Sequence, residues 1–219
     1  MRVFTDGLIL DKPNLVVAVD PGLSTMGVYA KDFVTGREVM FSVVSSDPNI
    51  MGASMAVTVA SAGVLVNNAM GRLCAELGVQ LSSRKVAVVM EQTTTAFQFS
   101  TGITACLAFW SALIEGICGG VVCYVSNRIT NFLLGKKTIT ASDSKKVVLN
   151  ERPDLADMIK NNAGTRSSQY SHACDACLMA WSVFPELFKT KKTKRLELEF
   201  VNIWQLERKK KSKKKTKKQ

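Results

Sequence analysis

A single histidine, His172, occurs in 219 residues. No second Cys or His pair is spaced to complete the four ligands that a structural zinc requires, so the Cys174-x-x-Cys177 pair reads as packing on the buried side of a helix. The six cysteines, Cys74, Cys106, Cys118, Cys123, Cys174 and Cys177, fall in apolar segments, and no secretory signal precedes them. The expectation is reduced thiols in an intracellular compartment, with nucleus, organelle and viral replication site left open. Charge is missing altogether from residues 48–71, a stretch long enough to cross a bilayer. It carries Asn49, Asn67, Asn68 and several Ser, Thr and Gly, which is too polar for a membrane span; a buried helix lying across a sheet is expected, with no membrane partner. Net charge is missing from residues 1–188, where 15 Lys and Arg balance 15 Asp and Glu.

The charge that does exist is at one end. Residues 189–219 hold 14 basic and 3 acidic residues and supply the whole net +11. Within them, 208–219 has nothing apolar to bury and is expected to be disordered by itself, serving as a nucleic-acid arm or a nuclear-import signal. Between the two regions, 195–205 alternates apolar and polar residues and predicts an edge strand or a partner contact. A length of 219 residues with 47% apolar content suits one substantial core, so the division is a catalytic domain at 1–188 and a basic extension at 189–219.

Hydrophobic patterning predicts strands at 15–19, 27–32, 38–44, 86–90 and 121–125, the first three as an antiparallel meander turned at Asp20-Pro21-Gly22 and Thr35-Gly36. Helices are expected at 54–78, 103–118, 142–150 and 172–187. Three strands followed by alternating helices and strands is a ribonuclease H-like order, an α/β fold with a five-stranded mixed sheet flanked by helices.

Four residues carry the chemistry. Asp20 ends the run Leu15-Val16-Val17-Ala18-Val19, and Glu91 ends Val86-Ala87-Val88-Val89-Met90. His172 and Asp175 stand three apart at the start of the last predicted helix, with Ser171 as a possible N-cap. Taken singly, Asp20 is a turn residue, Glu91 a solvated strand end and Asp175 a helix-dipole partner. Together they put carboxylates at the carboxyl edge of a sheet and an i, i+3 pair on one helix face. Two-metal phosphodiester hydrolysis needs such a convergence, with Mg2+ suited to the carboxylates and Mn2+ compatible with the imidazole.

The segments VAVDPGLSTMGV at 17–28, VMEQ at 89–92 and HACDACLMA at 172–180 resemble, in order and spacing, the RuvC-like Holliday junction resolvases, including the poxvirus and organellar branches. The resemblance covers residues 15–188. It implies metal-binding and catalytic roles for Asp20, Glu91, His172 and Asp175, and a lysine near the scissile phosphate at Lys145 or Lys146, with Lys136 or Lys137 upstream. It implies Mg2+ as cofactor, Mn2+ substituting, and branched DNA as partner. A departure stands at Thr94, where bacterial members place an aromatic wedge; Phe97 and Phe99 are the nearby aromatics, read either as core or as base contacts. Arg166, in a polar loop at 160–170, is a candidate phosphate contact.

The resemblance therefore implies a metal-dependent, structure-selective endonuclease that resolves four-way DNA junctions by paired symmetric nicks. A two-fold junction implies a homodimer, and a stripe of Ile103, Leu107, Trp110, Ile114 and Ile117 offers either a dimer face or plain core packing. Two other readings are open to the same residues. The loop around Asp20 also resembles the first phosphate loop of actin-like and sugar-kinase ATPases, but the second phosphate loop and the adenosine Gly motif are missing. A catalytically silent DNA-binding scaffold would keep the basic tail, yet all four ligands are present.

Overall fold

The computed structural model describes residues 13–22, 24–45, 55–92, 101–119, 121–126, 141–158 and 167–184. The chain runs β1 (Leu15–Pro21), β2 (Thr25–Asp32), β3 (Glu38–Val44), α1 (Met55–Leu77), β4 (Val86–Gln92), α2 (Thr101–Cys118), β5 (Val121–Ser126), α3 (Ala141–Glu151) and α4 (Ser167–Val183). The fold is mixed α/β, a sheet ordered β3-β2-β1-β4-β5 with helices against both faces. β2 pairs antiparallel with β1 and with β3, while β4 is parallel to β1 and β5 parallel to β4.

β1 and β4 are almost unbroken runs of Val, Leu, Ala and Met because both of their faces are covered, the usual condition of parallel strands. Alternation still sorts the side chains between two cores. Leu15, Val17 and Val19 of β1 and Val86, Val88 and Met90 of β4 pack under Leu65, Val66, Leu73 and Leu77 of α1 and Trp110 and Ile114 of α2. Val16 and Ala18, with Ala87 and Val89, face the other way, against Val148 of α3 and Cys174, Cys177, Leu178 and Trp181 of α4. Burying a side chain of the Val or Leu class stabilises by roughly 1.5–3 kcal/mol, so each helical layer is held chiefly by its apolar stripe.

Polar links fix the ends. α1 stops at Gly78, whose φ of 66° suits a residue without Cβ, and Arg37 donates to the Leu77 carbonyl at 3.0 Å. At the β2–β3 turn the fully buried Asp32 accepts from the Val34 amide at 2.8 Å, the Thr35 hydroxyl at 3.0 Å and Arg84 at 3.2 Å. Burial would raise the Asp32 carboxyl; these donors outweigh it and hold the group below the usual range. At the same end of the sheet, where β3 begins, Glu38 receives both Nη atoms of Arg152, at 3.0 and 2.8 Å, and the Tyr29 hydroxyl at 2.5 Å, tying the segment after α3 to the sheet.

Several expectations are corrected. β1 extends through Asp20 to Pro21, because Asp20 pairs with Gly27 in the ladder, and the chain reverses at Gly22, whose amide donates to the Thr25 carbonyl at 2.9 Å. The last helix begins at Ser167 rather than at 172 and ends at Val183. Ser171 is therefore a buried interior residue and not an N-cap, and 167–170 of the expected loop is helical. The α2 stripe is core: Trp110 and Ile114 are buried against the sheet and Ile117 packs on the same cluster, so this face is not available to a second copy. The side chains of Ile103 and Leu107 lie outside the described residues, as do the basic extension and the expected edge strand at 195–205. Cys174 and Cys177 are free and buried, and Cys118, the last residue of α2, is buried in the core cluster that α1 shares. Among the described residues no helix is long and apolar enough to cross a membrane, and α1 leaves Val64 exposed on its outer side.

Candidate active site

The same alternation that sorts the cores places the acids. Asp20 follows Val16 and Ala18 in the two-residue period, and Glu91 follows Ala87 and Val89, so both belong to the face that α4 covers. Val19 pairs with Met90 in the parallel ladder; the next residue on each strand is Asp20 on one and Glu91 on the other. Adjacent carboxyl ends of parallel strands, where the chain leaves in opposite directions to β2 and β5, form the crevice in which open α/β sheets hold ligands.

α4 brings His172 and Asp175 to that crevice. It can do so because β2 has no side chain at the crossing: a Cβ on Gly27 would lie 2.1 Å from the carbonyl carbon and oxygen of His172 and 2.6 Å from the Ala173 nitrogen. Gly27 pairs with Asp20 across the β1–β2 ladder, so the bare position lies beside the acid. His172 Nδ1 is 2.6 Å from Asp20 Oδ2. Asp20 is 7% exposed, whereas the His172 side chain is about a third open to solvent.

Electrostatics bind the four groups together. The hydrogen bond to Asp20 raises the His172 imidazole, burial opposes it, and the charges of Asp20, Asp175 and Glu91 add to the rise. Asp175 is pushed up to about 6, first by burial and then by the neighbouring Asp20, while the Ser144 hydroxyl and the His172 charge pull it back. Ser144, fully buried on α3, donates its hydroxyl to Asp175 Oδ1.

Three carboxylates and one imidazole at one sheet edge are a donor set suited to a hard divalent cation. A carboxylate whose charge is penalised by burial and by a neighbouring acid is the condition a cation relieves. In kind the residues would suit such an ion, and Asp20, Glu91, His172 and Asp175 are the side chains that would hold it. Among the described residues, however, no three His, Cys, Asp or Glu side chains are gathered closely enough to hold a metal as they stand. His172 and Asp20 instead satisfy each other.

The structure separates the two candidate lysines. Lys145 is half-buried and close enough to α4 for its charge to lower the Cys174 thiol, whose burial raises it to about 12. Lys146 is exposed. Lys136, Lys137, Phe97, Phe99 and Arg166 lie outside the described residues. Sequence reasoning did not assign Gly27 or Ser144 to the site. A lone glycine inside a strand signals close backbone approach and marks Gly27. Ser144 has no such signal, because its partner is 31 residues away on another helix.

No protein-family model matches the sequence, and no curated protein is similar to it in sequence. In structure the chain is similar to RuvC of Thermus thermophilus, solved by itself (TM-score 0.49, 13% identity, 80% of this chain and 97% of that one) and in complex with a Holliday junction substrate (TM-score 0.46, 14% identity, 79% and 96%). It is likewise similar to the yeast mitochondrial Holliday junction resolvase Ydc2 (TM-score 0.49, 9% identity, 86% of this chain and 83% of that one), so its structural neighbours are RuvC-like resolvases.

Proposed function

We propose that the chain is a divalent-metal-dependent endonuclease of ribonuclease H-like fold that resolves four-way DNA junctions by paired nicks. The observation that carries this reading is the meeting of Asp20 and Glu91, on adjacent parallel strand ends, with His172 and Asp175 on the helix above them. The resemblance of the segments around these four residues to RuvC-like resolvases supports the same reading. Neighbouring RuvC has been captured on a Holliday junction substrate, and that is the substrate class proposed for this chain.

When bound, Mg2+ or Mn2+ would supply Lewis acidity toward water and the leaving oxygen. Asp20, Glu91 and Asp175 supply oxygens for it and His172 a nitrogen. Asp20 also orients the imidazole through Nδ1. Lys145, beside α4, is the better placed of the two lysines to face the scissile phosphate and offset the charge that develops on it. The basic extension at 189–219 adds sequence-independent attraction to the DNA backbone. A two-fold dimer would set one such site on each of two opposing strands.

The test is cleavage of a four-way junction, with three-way, flap and linear duplexes alongside. Asp20→Asn and Glu91→Gln should each keep junction binding and lose cleavage, because a charged ligand goes and the DNA surface stays. Cleavage by Asp20→Asn at the unmodified rate would end the assignment of the site. Equal cutting of linear duplex would leave a nuclease without the proposed selectivity.

A further inference from the structure

We propose that Ser144 is a positioning residue for Asp175, holding its carboxylate in the orientation that a divalent cation needs; the inference rests on the metal-site reading above. Ser144 has no solvent exposure, and its hydroxyl donates to Asp175 Oδ1 from a different helix. A carboxylate on an unsupported side chain turns about its terminal torsion at little cost, since sp³–sp² torsions are broad. Fixing one oxygen by a buried donor fixes the direction of the other. Hydrogen-bonded partners of metal-binding carboxylates act in this way, and their loss typically costs about 10–100-fold in metal affinity or activity.

The placement favours this role over plain packing. Ser144 is fully buried on α3, one turn before Val148, and α3 packs against α4; a buried hydroxyl without a partner is a cost, and an alanine would fill similar space. What the hydroxyl adds there is the bond to Asp175. The next residue, Lys145, carries its charge toward the same turn of α4. α3 thus supplies two adjacent residues to the site, one gripping a carboxylate and one supplying positive charge, so the α3–α4 contact belongs to the site as well as to the core.

The experiment measures Mn2+ binding to the full-length protein without DNA, by the loss of the free-ion electron paramagnetic resonance signal. Ser144→Ala should weaken Mn2+ binding by about tenfold, and Ser144→Thr, which keeps the hydroxyl, should bind within about threefold of the unmodified protein. In junction cleavage, Ser144→Ala should raise the Mn2+ concentration for half-maximal rate by more than it lowers the rate at saturation, a split that a general loss of structure does not produce. Circular dichroism checks that each variant is folded. If Ser144→Ala does not fold, Ser144→Cys, with its weak donor, replaces it and should bind Mn2+ more weakly than Ser144→Thr. Equal Mn2+ affinity in the unmodified, Ala or Cys, and Thr proteins overturns the role of Ser144. Absence of Mn2+ binding in the unmodified protein overturns the metal-site reading itself.

Discussion

Asp175→Asn should make the metal-free protein more stable at about pH 8 while removing its cleavage. Asp175 titrates at about 6 instead of at 3.8 because burial and the neighbouring Asp20 penalise its charge. A folded-state pKa above the unfolded one means stability that is full below about pH 4 and lost as pH rises through 6. The gap of about 2 units corresponds to at most about 3 kcal/mol, and solvent reaching the half-open site reduces it to about 1–3 kcal/mol. At about 2–4 °C per kcal/mol for a chain of this size, the melting temperature in EDTA should rise by about 2–12 °C at pH 8. At about pH 4.5 the gain should fall to about a third of its value at pH 8, because folded Asp175 is then largely protonated while the unfolded chain still releases most of that proton. His172 acts with the same sign: raised by its bond to Asp20, it contributes stability below 6.5 that is lost as pH rises through its folded value. Asp32, Glu38 and Asp154 are held low, so their stability is lost only as pH falls through their own lowered values, outside this window. Calorimetry of both proteins in EDTA at pH 4.5, 6 and 8 decides the matter. A variant that melts at or below the unmodified protein at pH 8 refutes the reasoning.

Gly27→Ala should cost about 3 kcal/mol by urea denaturation, because the added methyl meets α4 backbone that cannot swing aside; an unchanged midpoint would show that α4 can lift away without penalty. Arg152→Ala should destabilise by about 1–3 kcal/mol near neutral pH, since Glu38 loses both Nη donors and keeps only Tyr29 and Lys31 as partners. That loss should shrink as pH falls and Glu38, now titrating higher, takes up a proton; a pH-independent loss would argue for packing alone. Removing 208–219 takes away nine basic residues and should weaken binding to every DNA alike while flattening its dependence on salt. Salt slopes that do not change would assign the segment to targeting.

The sheet was legible because its central strands are buried on both sides. Runs such as 15–19 and 86–90 leave no helical period to confuse them, and the acids that follow break the runs where the ladder brings them together. The i, i+3 spacing of His172 and Asp175 was legible for a similar reason, since a helix is its own ruler. The start of that helix was not. Ser167-Ser168-Gln169-Tyr170 has loop composition, and a helix already nucleated downstream extends backward through it, since adding a residue costs less than starting a helix. The α2 stripe shows another limit, because apolar spacing gives a buried face without naming what buries it; the structure gives the sheet. Ser144 and Gly27 act through contacts between distant segments, which no local pattern encodes.

The double duty of α4 sets an order of events. Val16, Ala18, Tyr29, Met40, Ala87 and Val89 form one face of the sheet, and the helix that covers most of it is the one that carries His172 and Asp175. Synthesis delivers the sheet strands first and residues 167–183 long after them. Until then the growing polypeptide has Asp20 and Glu91 without their partners and an apolar face in need of shelter. Covering that face and completing the four-residue cluster are a single docking step, so a ribosome-bound chain that stalls short of α4 is at once sticky and without His172 and Asp175 beside its strand-end acids.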